Sequence, residues 1–237
     1  MADEPLPLVP PLQQSSLVEQ IYHGLQQALM HGQLRPHQRL KVRELAASLG
    51  TSETPVREAL FQLVRDRAIE IKSRQFVRVR RPSAREYVQI REVRLQLEPL
   101  AARAALPNIG PEDLERLTKL QEAFCDAQEG GRIDEALRLG VEFHFSIYRR
   151  SENPVLIGIL EGLWCQIVPV FALPYLSRGT YDATPHVAAL DAIRDGDADA
   201  LGRAVVADLM NGSRLVIEHL EDLERAEGAP EPRQRAG

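Results

Sequence analysis

Apolar residues recur at helical spacing through most of the chain. Ile21, Leu25, Ala28 and Leu29 stand at i, i+4, i+7 and i+8, which predicts a helix over about residues 16–31, ended by Gly32. Val42, Leu45, Ala46 and Leu49 mark a shorter helix with Gly50 as its stop. Thr54 is placed to cap a third, with Pro55 at the first helical position, where a missing N–H costs nothing. Val56, Ala59, Leu60, Leu63 and Val64 form its apolar face. The period then changes. Residues 68–72 and 76–80 alternate strictly, with Ser73-Arg74-Gln75 between them, which predicts a β-hairpin. After Arg81-Pro82-Ser83 the helical period returns, over 86–105, 111–128, 133–150, an apolar run opened by Asn153-Pro154, a helix opened by Thr184-Pro185, and 201–223. Gly196 and Asp197 read as the stop of one helix and the cap of the next.

Two short helices joined by a tight, Gly-containing turn form a helix-turn-helix, and the basic hairpin after it reads as a wing. The expected fold is therefore mostly α: an N-terminal winged helix-turn-helix domain over 15–82 and a C-terminal all-helical bundle over 83–226. A Pro-rich lead-in (1–14) and a polar tail (227–237) flank them. Composition agrees, since aromatics make up only 5% of the 237 residues, which disfavours a β-sandwich. Two cysteines are too few for a disulfide framework or a four-thiolate zinc site, and Cys125 and Cys165 read as small core residues. Met1-Ala2-Asp3-Glu4 lacks the basic-then-apolar order of a signal peptide, so a cytoplasmic location is expected. Residues 155–176 carry one charge, Glu161, and approach the length of a membrane span. Gly158, Gly162, Gln166, Pro169 and Pro174 interrupt the run, so a buried core helix, kinked near Pro169, is expected and no membrane partner.

Charge divides the chain. Through Pro82 there are 12 Lys and Arg against 8 Asp and Glu; from Ser83 onward there are 17 against 26. A basic front and an acidic back suggest different partners. Arg57 would lie in the first turn of the third helix, where the helix dipole disfavours a cation and favours an external anion. Arg43, Thr54, Arg57, Arg74, Arg78 and Arg80 could share one surface, either as an ordinary solvated face or as a face for phosphate and bases.

The stretch from His31 to Glu70, and above all Thr54-Pro55-Val56-Arg57-Glu58-Ala59-Leu60, resembles the winged-helix domain of the GntR superfamily of bacterial transcriptional regulators. The resemblance implies double-stranded operator DNA as partner, with Arg43 and Arg57 in the major groove and Thr54 on phosphate. Arg74 and Arg78 of the wing are the further candidates. The family usually has Arg at the position of Glu53 and Gly at those of His37, Arg67 and Gln75. Glu53 would then face DNA as an acid, repelling phosphate or accepting from cytosine N4.

The acidic half is similar to the FCD-type effector domain of the FadR-like branch, through "EVRLQLEPLAARAAL", Phe143-His144 before Ser151-Glu152-Asn153-Pro154, and His186 before "ALDAIRDGDADAL". That resemblance implies one divalent metal (Zn²⁺, Mn²⁺ or Ni²⁺) on the floor of a ligand cavity. His144 and His186 match two ligands, Gly140 stands where an Asp is expected, and Asp208 replaces the last His with another competent donor. Arg94, with His144 and His186, is the candidate effector contact for a small organic acid. Arg94 and Glu98, one turn apart, could equally form an internal ion pair.

The function expected is a non-enzymatic regulator whose operator binding responds to a small-molecule carboxylate. It would act as a homodimer, since one winged helix reads only a half-site. Two rivals stand beside it. One is a metal-dependent hydrolase or lyase with Glu142 as base, although Glu142 and His144 at i, i+2 point to different helix faces. The other is a winged-helix scaffold that binds protein.

Overall fold

The computed structural model describes residues 17–72, 76–178 and 181–228. The first apolar period produces α1 (Leu17–Met30), which buries Ile21, Leu25, Leu29 and Met30. Gly32, at φ +67°, turns the chain. A strand follows that the apolar pattern did not reveal, β1 (Arg39–Lys41), because three residues carry too little alternation to be read. It runs directly into α2 (Val42–Ser48), and Gly50 at φ +64° leads to α3 (Glu53–Arg65). Here the capping expectation needs correcting by two residues. Ser52 is the extended N-cap residue, and Thr54 and Pro55 already lie in the first turn of α3. The proline is accommodated because the N–H groups of the first turn have no intrahelical acceptor.

The hairpin forms as β2 (Ile69–Ile71) and β3 (Phe76–Val79), antiparallel, with Ile69 opposite Val79. β1 pairs with the other edge of β3, Leu40 opposite Val77, giving a three-stranded sheet ordered β1-β3-β2. Leu40, Ile69, Val77 and Val79 point into the core with Val56, Leu60 and Leu63 of α3. The tip of the wing, with Arg74 and Gln75, lies outside the described residues. His37 (φ 65°) and Arg67 (φ 59°) occupy left-handed backbone, the conformation that glycine adopts without strain. A side chain there costs about 1–2 kcal/mol, held by bonds such as His37 N–H to the Val79 carbonyl at 3.0 Å.

The remainder is helical: α4 (Ala84–Ala105), α5 (Pro111–Glu129), α6 (Ile133–Tyr148), α7 (Pro154–Arg178), α8 (Thr184–Asp195) and α9 (Ala198–Gly228). α9 extends past both expected ends, and α6 gives way at Arg149 to a single 3₁₀ turn. Two caps are as the sequence suggests. The Asn153 side-chain oxygen accepts from Leu156 N–H at 3.1 Å. That of Asp197 accepts from the N–H groups of Asp199 and Ala200, after Gly196 at φ +69°. α7 is the helix long and apolar enough to cross a membrane among the described residues, and half of its apolar window is buried in the protein. Leu160, Ile167, Val168 and Val170 have no exposure at all. They sit among α4, α6 and α9, which pack against α7.

α7 also receives α1, so one buried apolar cluster runs from Ile21 and Leu25 to Leu160 and Trp164. The covalent junction is fixed separately. Ser83 Oγ accepts from Glu86 N–H at 3.1 Å while the Glu86 carboxylate accepts from Ser83 N–H at 3.0 Å, a reciprocal cap on α4. Arg80 donates to the same Glu86 at 2.8 Å, and Ala84 N–H donates to Glu224 of α9 at 2.8 Å. Ser83→Ala removes one side of this cap and is expected to cost about 1 kcal/mol, measured as a lower urea midpoint at unchanged slope.

Candidate metal centre and nucleic-acid interface

His144 sits in α6, His186 in the first turn of α8 and Asp208 in α9; all three are buried and their ligating atoms lie within 4.8 Å of one another. His144 Nε2 is 3.1 Å from one Asp208 oxygen and His186 Nε2 is 3.2 Å from the other, with 3.3 Å between the two Nε2 atoms. The expected trio is therefore one cluster.

Its outer partners decide which way the rings point their protons. His186 Nδ1 is 2.6 Å from Gln121 Oε1 of α5, an acceptor, so the Nδ1–H donates there. His144 Nδ1 is 3.4 Å from the Tyr148 oxygen, whose own proton goes to Glu98 at 2.9 Å. The Nδ1–H of His144 is thus the donor to Tyr148. In neutral rings both Nε2 lone pairs then face the Asp208 carboxylate, with no proton among the three groups. Were the imidazoles protonated instead, their charge and hydrogen bonds would outweigh burial and hold the Asp208 carboxyl well below the usual carboxylate range. Burial outweighs the pull of Asp208 and lowers His186, which favours the neutral ring. Tyr181 adds a hydroxyl bond to Asp208. Such a donor set could hold a cation at its centre. Two imidazoles and a carboxylate suit a divalent ion with coordination positions left open.

The cluster forms one wall of a small cavity of about 60 Å³. Gly140, one turn before His144, lines it, and a Cβ there would sit 3.3 Å from Phe124 Cε2. Tyr87, Arg94 and Ser213 also line the cavity. Of the two readings of Arg94 and Glu98, the ion pair is present: Arg94 Nε donates to Glu98 Oε1 at 2.5 Å, with both side chains buried. The guanidinium nevertheless borders the cavity, stacked on Trp164 at 4.6 Å from the ring centre. The Tyr87 hydroxyl is buried beside Ser213 without a hydrogen bond of normal geometry. Glu142 pairs with Arg138 at 3.1 Å and lines no part of this cavity, so the base required by the hydrolase reading is missing.

Several groups here were out of reach of the sequence reading. Tyr148 falls one turn after His144 and could have been found by spacing. Gln121, Tyr181 and Trp164 come from other segments, and only the folded chain brings them near.

On the front half, Arg43 and Thr54 are exposed on α2 and α3. Arg57, four residues after Glu53, is ion-paired with it at 2.6 Å. Arg78 on β3 is paired across the sheet with Glu70, while Arg80 turns to Glu86 and the Arg67 carbonyl. Arg43, Thr54 and Arg57 thus occupy the helix-turn-helix; Arg80 is absorbed by the junction.

Comparison with known proteins matches these two halves separately. Residues 17–79 match the bacterial regulatory proteins of the gntR family, and residues 89–211 match the FCD domain. The chain belongs to the GntR family. Among GntR-family relatives it is similar to the HTH-type transcriptional regulator McbR of Escherichia coli, 35% identical over 73% of this chain and 78% of that one. It is also similar to a probable D-xylose utilization operon transcriptional repressor of Paenarthrobacter nicotinovorans, 27% identical over 82% of this chain and 86% of that one. The solved structure of E. coli McbR/YncC superposes with a TM-score of 0.75 at 28% identity, covering 91% of this chain and all of that one. This GntR-family chain is accordingly a DNA-binding transcriptional regulator and not an enzyme, with an FCD effector domain.

Gly140→Asp would place a carboxylate one turn before His144. Calorimetric titration with Mn²⁺ or Zn²⁺ is expected to show tighter binding than in the native protein, and His186→Ala to show weaker binding. Equal affinity in all three would remove the cluster as a metal site.

Proposed function

We propose that this regulator binds a two-fold operator as a homodimer in the cytoplasm, and that a small carboxylate in the helical cavity changes that binding. The winged helix-turn-helix domain, residues 15–82, supplies the DNA contacts: Arg57 and Arg43 on base edges, Thr54 on phosphate, and Arg74 and Arg78 from the wing. The domain over 83–226 supplies effector binding and dimerisation.

The observation that carries the reading is the cavity itself. Its lining combines a buried donor set that could hold a cation with a guanidinium and a buried phenol, that of Tyr87. His144, His186 and Asp208 would hold Zn²⁺, Mn²⁺ or Ni²⁺. A bound ion would offer open positions to an anionic oxygen. Arg94 and Tyr87 are donors, so the matching end of the effector bears acceptors. The rest of the lining includes Phe124, Trp164, Phe171 and Leu209, which are apolar and exclude extended polar ligands. A small organic acid meets all three demands.

The cavity also has a physical route to the DNA-binding half. Trp164 lines the cavity; the next residue, Cys165, contacts the Gln26 carbonyl of α1 at 3.8 Å. Tyr22 of α1 in turn donates to Asp66, just past the end of α3, at 2.8 Å. A ligand that shifts Trp164 therefore bears on the seat of α1 and, through it, on α3.

Thermal shift and calorimetry with small mono- and dicarboxylates, each beside its amide, test the ligand class. Carboxylates are expected to bind and amides to fail. Tyr87→Phe should leave the unliganded protein as stable as before, or more so, because it removes a buried hydroxyl that makes no hydrogen bond of normal geometry. It should weaken carboxylate binding by about 1 kcal/mol, the net value of one hydrogen bond. Amides binding as tightly as acids would contradict the reading.

A further inference from the structure

Glu53 is the acid in the first turn of α3. It is not the N-cap residue, which is Ser52, and the Ser52 side chain makes no capping bond. Glu53 Oε2 holds Arg57 Nη2 at 2.6 Å, with both side chains a little under half exposed. The N-terminal residues of the second helix in a helix-turn-helix are the ones that meet base edges. Glu53, Thr54 and Arg57 are those residues here, and Glu53 and Arg57 share one helix face at i, i+4.

An exposed ion pair of this kind contributes little to folding, about 0.2–1 kcal/mol. It can open when DNA offers better partners. Arg57 has one in guanine, whose O6 and N7 both accept. Glu53 has a narrower choice. Phosphates repel it, and the major groove presents only two amino donors, N4 of cytosine and N6 of adenine. Adenine sets its N7 acceptor beside N6, so a carboxylate that reaches N6 faces a lone pair as well. Cytosine presents the donor without that neighbour. A carboxylate and a guanidinium held one turn apart therefore fit a cytosine and a guanine placed together, in one base pair or in adjacent pairs.

We infer that Glu53 is a specificity-determining residue of this regulator, selecting cytosine next to the guanine that Arg57 reads. This rests on the proposal that α3 reads the operator. Before DNA arrives, the same carboxylate holds the Arg57 guanidinium on the reading face of α3. An acid on this face weakens phosphate attraction for every sequence alike, and recovers the loss only where cytosine is present. It thus raises discrimination at the expense of general affinity.

The test is selection of bound duplexes from a random-sequence library, with the full chain as wild type, Glu53→Gln, Glu53→Ala and Arg57→Ala. Wild type is expected to select half-sites with a cytosine beside a guanine. Glu53→Gln should keep the guanine but exchange the cytosine for adenine, since a glutamine amide pairs with adenine N6 and N7. Glu53→Ala should lose preference at that position, a loss on the order of tenfold or more against the wrong base, and should bind non-cognate duplex more tightly. Arg57→Ala should lose the guanine. Identical half-sites for wild type, Glu53→Gln and Glu53→Ala would overturn the inference and leave Glu53 as a uniform repeller of phosphate. If Arg57→Ala also kept the guanine, the assignment of α3 as the reading helix would fall instead.

Discussion

Glu98 is a carboxylate with 1% exposure, and leaving such a charge unpaired in the interior would cost several kcal/mol. Three donors from three helices prevent that. Arg94 of α4, Trp164 of α7 at 2.7 Å and Tyr148 of α6 at 2.9 Å all point at its two oxygens. Satisfying this one group fixes the positions of α4, α6 and α7 relative to one another. It also sets the chemistry of the cavity. Because Tyr148 gives its proton to Glu98, it must receive one from His144, and the His144 lone pair is turned toward Asp208. The buried ion pair thus specifies geometry more than it adds stability, and the cluster of His144, His186 and Asp208 is built on that geometry.

The same network gives the cavity a lever. Trp164 is held edge-on by Glu98 and face-on by Arg94, so a ligand that competes for the guanidinium disturbs both restraints at once. α7 carries the change to α1, because the apolar cluster between them is continuous and closely packed interiors yield by discrete shifts. The junction at Ser83 is rigid by comparison, tied by its reciprocal cap and by Glu224. The proposed signal would therefore pass through the α1–α7 contact and not through a loose linker.

Much of this architecture could be read from spacing alone. The helical period located most of the helices, α7 showed as a continuous apolar run and α8 through Thr184-Pro185, and Gly32, Gly50 and Gly196 marked stops that do adopt positive φ. β1 escaped because three residues carry no measurable alternation. The start of α3 was misplaced because Ser52 and Thr54 are both good capping residues, and only the backbone shows which one is extended. His37 and Arg67 hide their left-handed conformations, since neither is a residue that signals one. In the cavity, His144, His186 and Asp208 were legible through spacing matched to a known pattern. Gln121, Tyr181 and Glu98, which set the orientation of that trio, were not. Their roles arise from contacts between segments far apart in sequence. The resemblance also left Arg94 divided between ion pair and ligand contact. The fold shows it paired with Glu98 while still bordering the cavity.

The central claim is that cavity and DNA-binding surface are thermodynamically coupled. The most direct measurement is anisotropy titration of a labelled, selected operator duplex with the full chain, without and with a saturating carboxylate that calorimetry has shown to bind. The account predicts a shift in operator affinity, about 5- to 150-fold for typical couplings, and an equal reciprocal shift in carboxylate affinity when operator is present. A carboxylate that binds tightly in the cavity yet leaves operator affinity unchanged would contradict it.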